Sequence, residues 1–85
     1  MPEVVIYMTM WCPFCARAKA LLKSKGVQFI EIDVEAHLGK HEEMMKKAGG
    51  RTSVPQIFIG DKHVGGCDDL YMLEREQKLD PLLAG

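Results

Sequence analysis

The sequence lacks an excess of charge of either sign: 11 Lys and Arg stand against 12 Asp and Glu, a net charge of -1 over 85 residues. A balance this close gives no polyanion-binding signature, which argues against nucleic acid or an acidic membrane surface as the partner. Long apolar runs are missing too. Val4 to Met8 is too short for a membrane span or a signal peptide, and the start Met1-Pro2-Glu3 is acidic rather than basic, so a cytoplasmic protein is expected. Cysteine is scarce. Three, an odd number with one close pair, do not make a secreted disulfide framework; in a reducing compartment such a pair is more often catalytic or metal-binding. Repeats, low-complexity tracts and linkers are absent, and one domain, 1–85, is expected, burying roughly 60–65 % of its unfolded surface.

What is present centres on Trp11-Cys12-Pro13-Phe14-Cys15, two thiols one helical turn apart just after an apolar strand. Residues i and i+3 share a helix face, so Cys15 can reach back to Cys12 and close a small disulfide ring. Pro13 suits the first helical turn, where its missing N–H costs nothing. Cys12 is then expected at the helix N-terminus, facing the free amides of Phe14 and Cys15. The helix dipole contributes only ~0.3–1 kcal/mol. Direct N–H to sulfur hydrogen bonds are therefore expected to carry most of the stabilisation of a Cys12 thiolate, while Cys15, one turn in, stays a thiol. Cys12 attacks and Cys15 resolves.

Along the chain, Val4 to Met8 reads as a central strand covered on both faces. Phe14, Ala18, Leu21 and Leu22 recur at helical spacing from Pro13 to Lys25, and Gly26 supplies a stop; the lysines between them are the solvated face. Gln28 to Val34 alternates, with Ile30, Ile32 and Val34 on one face, as a second strand. A helical stripe of His41, Met44, Met45 and Ala48 lies between Ala36 and Ala48, its first turn weakened by Gly39, which leaves its start open, and its end set by Gly49-Gly50. Gln56 to Ile59, a turn at Gly60-Asp61-Lys62 and His63-Val64 form a hairpin. Asp68-Asp69 opens a helix from Leu70 to about Gln77, and Asp80 as N-cap with Pro81 begins a terminal turn. The expected fold is α/β: a four-stranded mixed sheet flanked by three to four helices, with the two thiols at the carboxyl end of the first strand, where open α/β sheets place their ligand sites.

Three separated segments, Cys12-Pro13-Phe14-Cys15, Ser53-Val54-Pro55 and Gly65-Gly66-Cys67-Asp68-Asp69-Leu70, resemble those of a dithiol glutaredoxin of the small bacterial type. The resemblance spans essentially the whole chain. It implies a thioredoxin-like fold and a glutathione-dependent thiol-disulfide oxidoreductase acting on protein disulfides and protein-glutathione mixed disulfides, with glutathione as reductant and no metal. It further implies a cis peptide before Pro55, leaving the Val54 backbone to pair with the cysteinyl unit of glutathione, and amides at Cys67 and Asp68 for the γ-glutamyl carboxylate. Asp68 or Asp69 would hold the ammonium. The implied glutathione site comprises Thr9, Phe14, His41, Ser53, Val54, Pro55, Gly66, Cys67, Asp68 and Asp69, with Trp11 at the rim. Ribonucleotide reductase is among the candidate clients, and a monomer is expected.

The chain departs from the family pattern in three places. Thr9 stands where many relatives carry a lysine, Phe14 replaces the usual tyrosine while keeping an apolar wall, and His41 falls where an arginine or glutamine is common. Lys40, His41 or Arg51 can substitute for the lysine. Plainer roles stand beside these: Cys67 as a small residue at a helix start, Asp68 and Asp69 as caps, His37 and His63 as surface histidines, and Met44, Met45 and Met72 as core filling. A zinc site completed by Cys67 or by His37 and His41 is disfavoured, because a strand separates Cys15 from His37. Two other functions stay open: a [2Fe-2S] carrier, which Pro13 disfavours, and a thioredoxin-like donor, against which the Gly-Gly-Cys-Asp-Asp segment argues. If the missing lysine weakens glycyl recognition, Thr9→Lys is expected to tighten glutathione binding in a calorimetric titration; an unchanged Kd removes Thr9 from the site.

Overall fold

The computed structural model describes residues 2–85. The chain runs β1 (Val4–Met8), α1 (Pro13–Ser24), β2 (Ile30–Asp33), α2 (Lys40–Lys47), β3 (Gln56–Ile59), β4 (Lys62–Gly65), α3 (Cys67–Arg75) and α4 (Leu79–Ala84). The sheet order is β2-β1-β3-β4, with β1 parallel to β2 and antiparallel to β3, and β3 antiparallel to β4. This is the mixed four-stranded sheet expected of a thioredoxin-like fold.

The apolar run of β1 divides by strand alternation. Val4, Ile6 and Met8 join Ala18, Leu21 and Leu22 of α1, Leu70 of α3 and Leu79 and Leu83 of α4 in one core. Tyr7, with half-buried Val5, faces the opposite side, where Val34 and Met44 complete a smaller core under α2. The Tyr7 hydroxyl donates to Glu43 Oε2 at 2.6 Å, which ties α2 to the sheet. Ile59 pairs with Lys62, so Gly60-Asp61 alone makes the hairpin turn, and Gly60 takes a φ of 59° that a side chain would resist.

Several boundaries differ from the sequence reading, each for a local reason. β2 starts at Ile30, which lies on a sheet edge and is 47 % exposed, so its alternation does not bury every apolar residue. α2, whose start the sequence leaves open because Gly39 weakens its first turn, begins at Lys40: Asp33 Oδ1 accepts the Glu35 and Ala36 amides in a turn, and Gly39, at φ 82°, precedes the helix. α3 starts at Cys67, since Asp69 Oδ2 already accepts the Gly66 N–H at 2.8 Å. α4 starts at Leu79, not after an Asp80 cap: fully buried Leu79 anchors the turn, and Pro81 sits where the missing N–H still has no intrahelical partner. Met72, read as core filling, is 49 % exposed. His63, read as a surface histidine, is half-buried and stacked on Phe58 at 4.8 Å. Replacing Leu79 by Ala is expected to cost about 2–5 kcal/mol in urea unfolding, the range for a fully buried leucine; a loss well below this would show that α4 is a dispensable appendage.

Candidate active site

Because β1 is a central strand, its end delivers the chain directly to the N-terminus of α1, with Cys12 as N-cap in extended conformation and Pro13 inside the first turn. Of the two amides expected to face the sulfur, that of Cys15 donates to Cys12 Sγ at 3.2 Å. The Cys12 thiol in turn lies 3.9 Å from the Val54 carbonyl oxygen. The Val54-Pro55 peptide is cis. Cys12 is half-buried, whereas Cys15 is 1 % exposed. Burial, reinforced by its hydrogen bond to Cys12, pushes the Cys15 thiol up to about 12. The Cys67 thiol is also raised, chiefly by burial.

A groove of about 220 Å³ runs beside these thiols, lined by Phe14, Arg51, Ser53, Val54, Pro55, Gly66, Cys67, Asp68 and Asp69. Larger clefts lie elsewhere, 340 Å³ around Tyr7, Phe58 and His63 and 480 Å³ between Leu73 and Leu82, but no cysteine lines either. Three sequence segments far apart in the chain thus meet at one groove. Thr9 and His41 do not line it. The His41 ring nitrogen Nε2 instead lies 3.0 Å from the Thr52 carbonyl, and Lys40 pairs with Glu43 at 3.0 Å. Trp11 stands outside the groove wall, 92 % exposed.

Arg51, left as one of three options by the sequence, does line the groove and pairs with Asp69 Oδ2 at 3.2 Å. The Gly66 amide, and then the Arg51 guanidinium, hold the Asp69 carboxyl below the usual carboxylate range. Gly65, at φ 115°, lets this carboxylate approach, since a Cβ there would collide with Asp69 Oδ2. Gln56 was missed by the sequence reading. It is fully buried and donates to the Ser53 carbonyl and hydroxyl; its signal was a lone amide opening an apolar strand.

A glutaredoxin family model matches residues 4–64. The chain belongs to the glutaredoxin family. It is 58 % identical over 84 residues to a glutaredoxin of Pseudomonas aeruginosa, covering 99 % of each chain, and 57 % identical over 83 residues to glutaredoxin 3 of Escherichia coli strain K12, covering 98 % of this chain and 99 % of that one. Among solved structures, it resembles a glutaredoxin from Brucella melitensis at 58 % identity and a TM-score of 0.85, covering 98 % of this chain and 89 % of that one. The buckwheat glutaredoxin-glutathione complex matches at 30 % identity and a TM-score of 0.89, with coverages of 98 % and 77 %. A chain described under metal binding of glutaredoxins matches at 57 % identity and a TM-score of 0.74, with coverages of 98 % and 89 %. This glutaredoxin is a glutathione-dependent thiol oxidoreductase. Among the described residues no helix is long and apolar enough to cross a membrane, and no group of three or more His, Cys, Asp or Glu is placed to hold a metal ion.

The Cys15 shift carries a stability consequence. An unfolded cysteine ionises near pH ~8.5, while folded Cys15 keeps its proton to about 12. Between those values the unfolded chain binds fewer protons, so stability falls as pH rises. In the reduced protein, Cys15→Ala is expected to lessen that fall above about pH 8.5 in urea unfolding; an unchanged slope refutes the burial argument.

Proposed function

We propose that Cys12 is the nucleophile and Cys15 the resolving thiol, with glutathione bound along the groove between α1, the Ser53 to Pro55 loop and the N-terminus of α3. The contrast between the two sulfurs carries the reading. Cys12 is half-buried at a helix N-cap and accepts an amide hydrogen bond, whereas Cys15 is sealed in the core with its thiol pushed to about 12. On a glutathionylated protein, the Cys12 thiolate attacks the glutathione sulfur, the protein thiolate leaves and takes a proton, and Cys12 becomes the glutathione mixed disulfide. A second glutathione thiolate then attacks the glutathione sulfur of that adduct, releasing oxidised glutathione and restoring Cys12. On a protein disulfide, Cys12 forms a mixed disulfide with one protein sulfur and frees the other. Cys15 attacks Cys12, its proton passing to the departing protein thiolate, and two glutathiones reduce the Cys12-Cys15 disulfide.

In the groove, the amides of Cys67 and Asp68 face the γ-glutamyl carboxylate and the carboxylates of Asp68 and Asp69 its ammonium, while the Val54 backbone pairs with the cysteinyl unit and Phe14 and Pro55 form apolar walls. Of the three candidate cations, Arg51 alone lines the groove, so it is the one placed to meet a ligand carboxylate. The Arg51-Asp69 pair is half exposed on both sides and worth about 0–1 kcal/mol, so a ligand carboxylate can exchange into it. The chain acts as one domain, a cytoplasmic monomer, on protein disulfides and glutathionylated proteins, ribonucleotide reductase among the candidates. A second reading, a dimer bridging a [2Fe-2S] cluster through Cys12 and glutathione, draws on the relative described under metal binding; a brown anaerobic preparation would favour it and a colourless active monomer would not. With a glutathionylated peptide as substrate, Cys12→Ser is expected to lose all turnover and Cys15→Ser to keep it, losing only the reduction of protein disulfides. Turnover surviving in Cys12→Ser overturns the assignment.

A further inference from the structure

We propose that His63 and Gln56 are positioning residues for the glutathione half of the substrate, acting through Ser53 and Val54. The inference rests on the groove assignment made above and adds two residues that do not line the groove. Gln56 is fully buried at the start of β3, beside Tyr7 of β1. Its Nε2 has two hydrogens and both are used, towards the Ser53 carbonyl at 3.0 Å and the Ser53 hydroxyl at 3.3 Å. Its Oε1 lies 2.7 Å from His63 Nε2. That places the imidazole hydrogen on Nε2, because a lone pair there would meet a carbonyl oxygen. Turning the amide over would set Oε1 against the Ser53 carbonyl and leave Nε2 facing the ring. The network therefore fixes the amide orientation and the tautomer together.

His63 is itself held. Its ring stacks on Phe58 at 4.8 Å with an interplanar angle of 25°, and β4 pairs its backbone region with Phe58 of β3. The result is a rigid chain from β4 to the loop: Phe58 holds His63, His63 aims Gln56, and Gln56 fixes Ser53 at both its carbonyl and its hydroxyl. Ser53 and Val54 border the groove, and the Val54 carbonyl faces Cys12. A peptide edge pairs with a ligand backbone only when its own direction is fixed, so releasing Ser53 weakens binding before it changes the sulfur chemistry. The loss is of uniform binding, which raises KM and spares kcat.

Two substitutions at His63 separate the ring from its donor. His63→Phe keeps a stacked ring and removes the N–H; His63→Gln supplies an amide N–H at about the reach of Nε2 and removes the ring. Steady-state deglutathionylation of a glutathionylated peptide is measured for both, alongside thermal unfolding. His63→Phe is expected to raise KM about three- to tenfold with kcat within about twofold, the scale of one lost buried hydrogen bond. His63→Gln is expected to keep KM within about twofold of the parent, even though it loses the stack. A KM that follows the ring, with His63→Gln impaired as much as His63→Phe, overturns the inference, as does an unchanged KM in folded His63→Phe. Should His63→Phe not fold, Gln56→Met decides in its place, with the same KM rise expected and an unchanged KM overturning the inference. Inactivity of the parent protein, or activity in Cys12→Ser, would instead bring down the underlying functional reading, so the two failures are distinct.

Discussion

β1 is paired on both edges and covered on both faces, and the placement of the thiols follows from that burial. A strand with α1, α3 and α4 packed on one side and α2 on the other has no freedom to shift in register, because a slip of one residue would exchange Ile6 for Tyr7 between the two cores. Its end is thus a fixed point. The chain leaves it through Thr9 to Trp11 and enters α1 at once, so Cys12 occupies the N-cap and Cys15 turns inward beneath it. The different environments of the two sulfurs are a consequence of helix geometry at a buried strand end rather than of any charged neighbour.

The second half of the molecule supplies the groove's other walls by the same logic. The β3-β4 hairpin returns the chain along β1, which brings the Ser53 to Pro55 loop and the start of α3 together at the groove beside Cys12. Close approach is permitted where side chains are absent or satisfied. Gly65 makes room for the Asp69 carboxylate, Asp69 holds the Gly66 amide, and Gln56 holds Ser53. Each of these contacts joins residues near in sequence, yet each has its effect at a groove made from distant segments.

The electrostatics of the groove are local and balanced, in keeping with a net charge of -1. Arg51 and Asp69 neutralise one another across a half-exposed pair, while the N-terminal turns of α1 and α3 both border the same groove. Such a surface suits a ligand carrying charges of both signs. A strongly basic or acidic one would not.

Much of this was legible in the amino-acid sequence, because the relevant signals are short-range. A continuous apolar run gave β1 its bounds, Pro13 and the cysteine spacing gave α1 its start, and the three motif segments pointed to a glutaredoxin. Errors arose where a local signal competed with burial: Leu79 outweighed the Asp80-Pro81 start signal, and Met72, read as core filling, turned to solvent. Tertiary structure alone decided which cation reaches the groove, since Lys40, His41 and Arg51 differ only in what lies across from them in space. It also decided the part played by Gln56 and His63. A polar residue in a strand reads as an exposed position until the fold closes over it, and only the folded chain brings the donor that makes its burial tolerable.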